Sequence, residues 1–275
     1  SQGDGATDGE GRARWSSGGA MDEIYLVGGP LEVYREAAGA VEAQVYLRQR
    51  DDGLAAKYLE ATAQYLELYR ELIGPYPYGK FALVENFWET GYGMPSFTLL
   101  GPKVIRLPFI LNSSYPHEIL HNWWGNSVYI DYESGNWAEG LTSYLADHLI
   151  KEQQGRGADY RRATLQKYAD YAGKQKDFPL TTFRSRHSAR TEAIGYGKTL
   201  MLFHMLRGDH VGVFVNAVLV FCAAEVWFED MSLVCSRYAG AVVLNDQFKA
   251  TMLLPAGQVY RLSCRAVLDR VVDQR

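Results

Sequence analysis

Pro116-His117-Glu118-Ile119-Leu120-His121-Asn122-Trp123-Trp124-Gly125-Asn126 is the stretch on which the fold and chemistry of this chain turn. A helix is predicted to start near Ser113 or Ser114 and to carry Tyr115 through Trp124, with Gly125-Asn126 ending it. Pro116 fits only in the first turn, where no backbone donor is missed. His117 and His121 stand four residues apart, one turn along one helix face. Two imidazoles so placed can both reach a zinc ion at about 2.0–2.1 Å. Glu118 lies beside them, suited to hold a water rather than the metal itself.

Outward from this helix, strand signals come first and helices follow. Before it, residues 24–27, 41 and 45–47 read as two or three short strands, broken by Gly28-Gly29-Pro30 and Gly39. Asp51 or Asp52 can cap a helix running to about Ile73, with Tyr58, Leu59, Thr62, Tyr65, Leu66, Tyr69, Leu72 and Ile73 on one face. Residues 80–88, 96–100 and 104–107 are three more strand candidates. Beyond it, helices are predicted near 137–151, 159–174 and 191–207. This order predicts an α+β fold: a small mixed sheet, with helices carrying the metal site. Residues 1–20 are Gly-rich with little to bury and read as a disordered tail.

A catalytic zinc needs three protein ligands and one open position, and two His with one Glu is a known set. Glu139, at the head of the next predicted helix, offers the carboxylate, although a Glu there also suits the helix dipole.

Together these blocks carry a resemblance. His117 to Asn126, then Asn136-Trp137-Ala138-Glu139-Gly140, then Tyr196-Gly197-Lys198 opening an apolar helix, resemble in content and order the gluzincin zinc aminopeptidases, the family of membrane alanyl aminopeptidase. The resemblance implies a thermolysin-like catalytic domain over 51–240, preceded at 21–50 by the last strands of an N-terminal β domain. It leaves 241–275 unassigned. It implies one Zn2+ per chain held by His117, His121 and Glu139. Glu118 would act as general base on the zinc water, and Tyr196 as hydrogen-bond donor to the oxyanion. The partner would be a peptide substrate.

The chain departs from the family at three places. Seventeen residues separate His121 from Glu139, where the family usually has eighteen; residues 131–135 form a loop able to absorb the deletion. The family's G-A-M-E-N strand, whose Glu grips the substrate's free amine, is matched by Tyr92-Gly93-Met94-Pro95-Ser96. Gly93 and Met94 can still offer backbone to an extended peptide, but Pro95 replaces the amine anchor unless Glu85 or Glu89 serves instead. After Arg207 the resemblance fades. An aminopeptidase-like peptidase is therefore the leading expectation. Another zinc hydrolase, such as an endopeptidase or epoxide hydrolase, and a non-catalytic zinc-containing peptide-binding module are the alternatives.

Other features narrow the reading less. The 275 residues carry a formal charge of -4, which argues against nucleic acid as a partner. The apolar run 211–224 is short of the ~20 residues a spanning helix needs. Cys222, Cys235 and Cys264 have no metal-knuckle spacing and are odd in number. His148, His187, His204 and His210 lack ligand spacing, and Arg184, Arg186, His187 and Arg190 read as a solvated basic loop. Asp147, two turns beyond Glu139, is placed to orient a ligand His. Compartment and oligomeric state leave no signature.

Overall fold

A computed structural model describes residues 1–209, apart from 8, 9, 11, 20, 22 and 90, together with 243–244, 249–253 and 259–263. The chain divides into two compact units: Ser1–Tyr129 with Leu145–Ile150, and Ile130–Tyr144 with Lys151–Arg275.

In the first unit, β1 (Asp4–Thr7) and β2 (Ala13–Ser16) form an antiparallel pair. The segment expected as a disordered tail thus holds two paired strands. Its glycines give the reason: Gly5 lets the backbone press against the Trp15 ring, whose atoms would lie 2.1 Å from any Cβ there. The Gly3 amide reaches Ser96 Oγ at 2.8 Å. Residues 24–27 form no strand, and Ile24 and Leu26 are exposed.

The strands β3 (Glu32–Ala38), β4 (Val41–Leu47), β5 (Lys80–Glu85), β6 (Gly91–Met94) and β7 (Phe97–Leu100) make one sheet in the order β3-β4-β5-β7-β6. The β3/β4 and β6/β7 ladders are antiparallel, while β4/β5 and β5/β7 are parallel. β3 and β4, expected to close a preceding β domain, instead belong to the sheet that continues into β5. The parallel register from Glu42 opposite Lys80 to Tyr46 opposite Val84 joins β4 to β5, and Ala43, Val45 and Leu47 of β4 are buried on the face of that sheet.

Helix α1 (Asp52–Leu72) crosses between β4 and β5. Asp51 caps it, accepting from the Leu54 amide at 3.0 Å. Tyr58, Leu59, Thr62, Leu66 and Tyr69 are buried along one face, in contact with helix α2 (Ser114–Leu120). The Tyr58 and Tyr115 rings meet edge to face, centroids 4.8 Å apart. Residues 104–107, expected as a strand, hold a 3-10 turn at Val104–Arg106. The Glu89 carboxylate accepts from the amides of Lys103 and Val104 at 3.1 and 3.3 Å, favouring a turn over an extended run.

Past Tyr129, the expected single helix over 137–151 is α3 (Ala138–Ser143), a π turn (Tyr144–His148) and α4 (Leu149–Gln153). In the second unit, α5 (Gly157–Tyr171), α6 (Gly173–Lys176) and α7 (Ala189–Glu192) follow; a second π turn (Ala193–Lys198) then leads into α8 (Thr199–Asp209). α3 and α8 approach closely at Gly140, where a Cβ would stand 2.2 Å from that of Thr199. Three more strands, β8 (Val243–Leu244), β9 (Lys249–Leu253) and β10 (Val259–Ser263), form an antiparallel sheet. The apolar run 211–224, the three cysteines and His210 lie outside the described residues. Among the described residues no helix is long and apolar enough to cross a membrane.

Candidate metal centre

Helix α2 is shorter than its sequence suggests, with His121 as its C-terminal cap residue. The chain leaves the helix through Gly125, whose φ of 93° favours glycine. The Asn126 amide still bonds back to the His121 carbonyl at 3.1 Å, which closes the end of the helix. The indole of Trp123 donates to the Gly74 carbonyl at 3.2 Å, tying this exit to the end of α1.

The ring nitrogens follow from their partners. His117 Nδ1 lies 3.1 Å from Asp147 Oδ2, and a carboxylate there holds the proton on Nδ1. His121 Nδ1 faces the Trp124 carbonyl at 3.4 Å, a longer contact with the same preference. The Nε2 atoms of both rings then present lone pairs, and these stand 3.2 Å apart. Two lone pairs converging at that distance call for a cation between them, a proton or a metal ion.

A potential ligand atom from each of His117, His121 and Glu139 lies within 4.8 Å of the others, so the three could hold a metal ion. Two neutral imidazoles and one carboxylate suit zinc and leave a coordination position open. Asp147 holds His117 as its place in the sequence suggested.

Within the first unit, Glu118 meets the edge strand β6. A Cβ built on Gly93 would lie 2.5 Å from Glu118 Oε2, so this glycine admits the carboxylate. Met94 follows it on β6, and Pro95 is buried in the turn to β7. The two substitutes for the amine anchor are engaged elsewhere. Glu85 is buried and takes Arg106 Nη1 at 2.6 Å and the Arg48 amide at 2.8 Å. Glu89 caps the 3-10 turn already described.

In the second unit, Glu139 stands in the first turn of α3, where the helix dipole favours a carboxylate. The preceding loop is fixed from Asn136, whose amide donates to the Phe183 carbonyl at 2.8 Å and whose side chain donates to that of Arg184 at 3.0 Å. Tyr196 lies in the second π turn, against the edge of Phe183 at 6.0 Å, with the Arg186 guanidinium 5.7 Å from its ring centre. The run of Arg184, Arg186, His187 and Arg190 is exposed, as expected of a solvated loop, and Arg186 lies over the ring of Tyr196. An isolated arginine carries no pattern that would have marked it.

No family model matches the chain, and no curated protein matches it. Solved structures do. Native leukotriene A4 hydrolase from Saccharomyces cerevisiae aligns with a TM-score of 0.56 at 16% identity, over 76% of this chain and 36% of that one. The M1 zinc metallopeptidase from Deinococcus radiodurans aligns at 0.55 and 20% identity, over 78% of this chain and 50% of that one. A variant of that enzyme bound to a Tyr-Ser-Ala substrate gives 0.55 at 20% identity, over 76% and 49%. At these identities the likeness establishes a shared fold, a mixed sheet with helices as in the M1 peptidases. The chain spans half or less of the length of these structures.

Proposed function

We propose that this chain is a zinc-dependent hydrolase of peptide bonds, aminopeptidase-like but without the usual carboxylate for the substrate's free amine. The observation that carries the proposal is the convergence of His117, His121 and Glu139 with Glu118 beside them. One zinc per chain would be held by the three ligands, and 51–240 would form the catalytic region. When bound, zinc polarises the scissile carbonyl and lowers the pKa of a water toward ~7.

The chain's own groups would do the rest. β6 ends the sheet on one side, so an extended peptide can pair along it, with Gly93 and Met94 supplying backbone. Glu118 takes the proton of the attacking water as the oxygen bonds to the carbonyl carbon. It then delivers that proton to the nitrogen as the C–N bond breaks. Tyr196 donates a hydrogen bond to the developing oxyanion, a contact typically worth ~3 kcal/mol.

The test is metal content and peptide hydrolysis measured side by side on wild type, Glu118→Gln and His121→Ala. Glu118→Gln should retain zinc and nearly lose hydrolysis, and His121→Ala should lose both. Full zinc retention in His121→Ala would sink the ligand assignment. Zinc binding without peptide turnover in wild type would point to a non-catalytic module, or to epoxide hydrolysis if an epoxide is opened.

A further inference from the structure

Asn122 follows the second histidine and is fully buried. Its side-chain amide does two things at once. Nδ2 donates back to the carbonyls of Ile119 and Glu118, at 3.0 and 3.3 Å, gripping the last turn of α2. Oδ1 accepts from the Ser96 amide at 2.7 Å, in the turn joining β6 to β7.

That turn needs holding. Ser96 has a φ of 67°, a conformation that side chains rarely adopt and that persists only where its surroundings impose it. The other polar atoms of Ser96 are also engaged. Its Oγ takes the Gly3 amide at 2.8 Å and Lys80 Nζ at 3.0 Å, and its carbonyl takes the Ala82 amide at 3.0 Å. These bonds fasten Ser96 to the sheet and to Gly3, just ahead of β1, while the Asn122 bond fastens it to the helix bearing Glu118. Gly93, three residues before Ser96, is the residue that Glu118 Oε2 approaches so closely.

We propose that Asn122 is a positioning residue: it sets the spacing between the edge strand β6 and Glu118 by clamping the β6–β7 turn to the metal helix, without touching the reacting groups. The kinetic half of this inference rests on the function proposed above; the clamp itself does not. The Asn122 side chain joins the Glu118 carbonyl to the turn directly, one bond at each end.

The experiment uses the full 275-residue chain, as wild type, Asn122→Ala and Asn122→Thr. The threonine hydroxyl can still bond the carbonyl four residues back but does not reach Ser96. Thr62→Val serves as a matched control: Thr62 Oγ1 makes buried bonds to the Tyr58 carbonyl at 2.6 Å and to Tyr115 Oη of α2 at 2.5 Å, so its loss loosens the same helix away from the β6–β7 turn. Backbone hydrogen exchange, zinc content and hydrolysis of an unblocked tripeptide are measured on each. Both Asn122 variants should keep zinc, lose at least tenfold of the protection at Ser96 and along β6, and lose at least tenfold in kcat/KM. Thr62→Val, with a similar fall in Tm, should keep kcat/KM within about twofold. Unchanged protection in both Asn122 variants overturns the clamp. Lost protection with kinetics no worse than Thr62→Val overturns the positioning role. If wild type cleaves no peptide, the function proposed above fails, and the exchange data alone uphold or overturn the clamp.

Discussion

Replacing Gly93 by Ala places a methyl carbon where the structure leaves 2.5 Å to Glu118 Oε2. An unstrained contact there needs about 3.5 Å, so one group must move by about 1 Å. The nearest atom is the far end of a flexible side chain; Glu118 Cδ is already 3.7 Å from the same point. The carboxylate will therefore swing while the strand stays. Gly93 lies outside the left-handed region, so alanine fits its backbone and can add a few tenths of a kcal/mol in strand stability. Catalysis should respond differently. A general base displaced by 1 Å typically loses about a hundredfold in rate, equivalent to roughly 2.7 kcal/mol of barrier. The assay is steady-state hydrolysis of an unblocked peptide, with Tm and zinc content measured on the same preparation. Gly93→Ala should keep its zinc and a Tm close to wild type while kcat falls about a hundredfold. Wild-type turnover would show that the place of the carboxylate against β6 does not matter. A large fall in Tm would show that the strand, not the side chain, takes up the clash.

Asp147→Asn removes the carboxylate that fixes the His117 tautomer, and zinc affinity should fall about 10–100-fold in competition with a chelator. Burial lowers the pKa of Lys80 to about 8, partly offset by Asp4 and Glu42, so its ammonium is disfavoured in the folded chain. Between about pH 8 and 10.5 the unfolded chain binds more protons there, so stability should rise by about 3 kcal/mol across that window relative to Lys80→Met, as followed by denaturant unfolding. A flat difference between the two proteins would remove Lys80 as the cause. With Pro95 where the resemblance would place an amine anchor, and Glu85 and Glu89 engaged elsewhere, free and N-acetylated peptides should differ by less than about tenfold in kcat/KM if the proposed function holds. A hundredfold preference for the free amine would require an anchor among the remaining acids.

The sheet and its crossover helix were legible where side chains repeat at a clear period. Asp51 and the apolar face from Tyr58 to Tyr69 define α1 nearly to the residue. The reading failed where a contact distant in sequence decides the conformation. Residues 104–107 have strand composition, yet Glu89 reaches across to their amides and makes a turn. Residues 1–20 have the composition of a tail, yet Gly3 and Trp15 find Ser96 and Lys80. The boundary that sets 21–50 apart from the catalytic region comes from the resemblance and not from the pattern of the residues. Only the parallel ladder from β4 to β5 shows that the sheet runs through it.

The two π turns are the clearest case of information that no helical period contains. Both interrupt runs predicted as continuous helices, and each carries a residue singled out for chemistry: Asp147 in the first and Tyr196 in the second. A π turn adds one residue to a helical turn, so every side chain beyond it is rotated about 100° from where regular spacing would aim it. Glu139 and Asp147, eight residues apart, would share one face of an unbroken helix. Asp147 lies inside the turn of Tyr144–His148, so its direction is set by the turn and not by its spacing from Glu139, and there it meets His117. Straightening this turn by deleting one residue would leave the motif blocks at 117–126, 136–140 and 196–198 intact. It would nonetheless turn one carboxylate away from its histidine. Motif spacing could therefore name these residues, but their aim depends on backbone irregularities that sequence periodicity treats as noise.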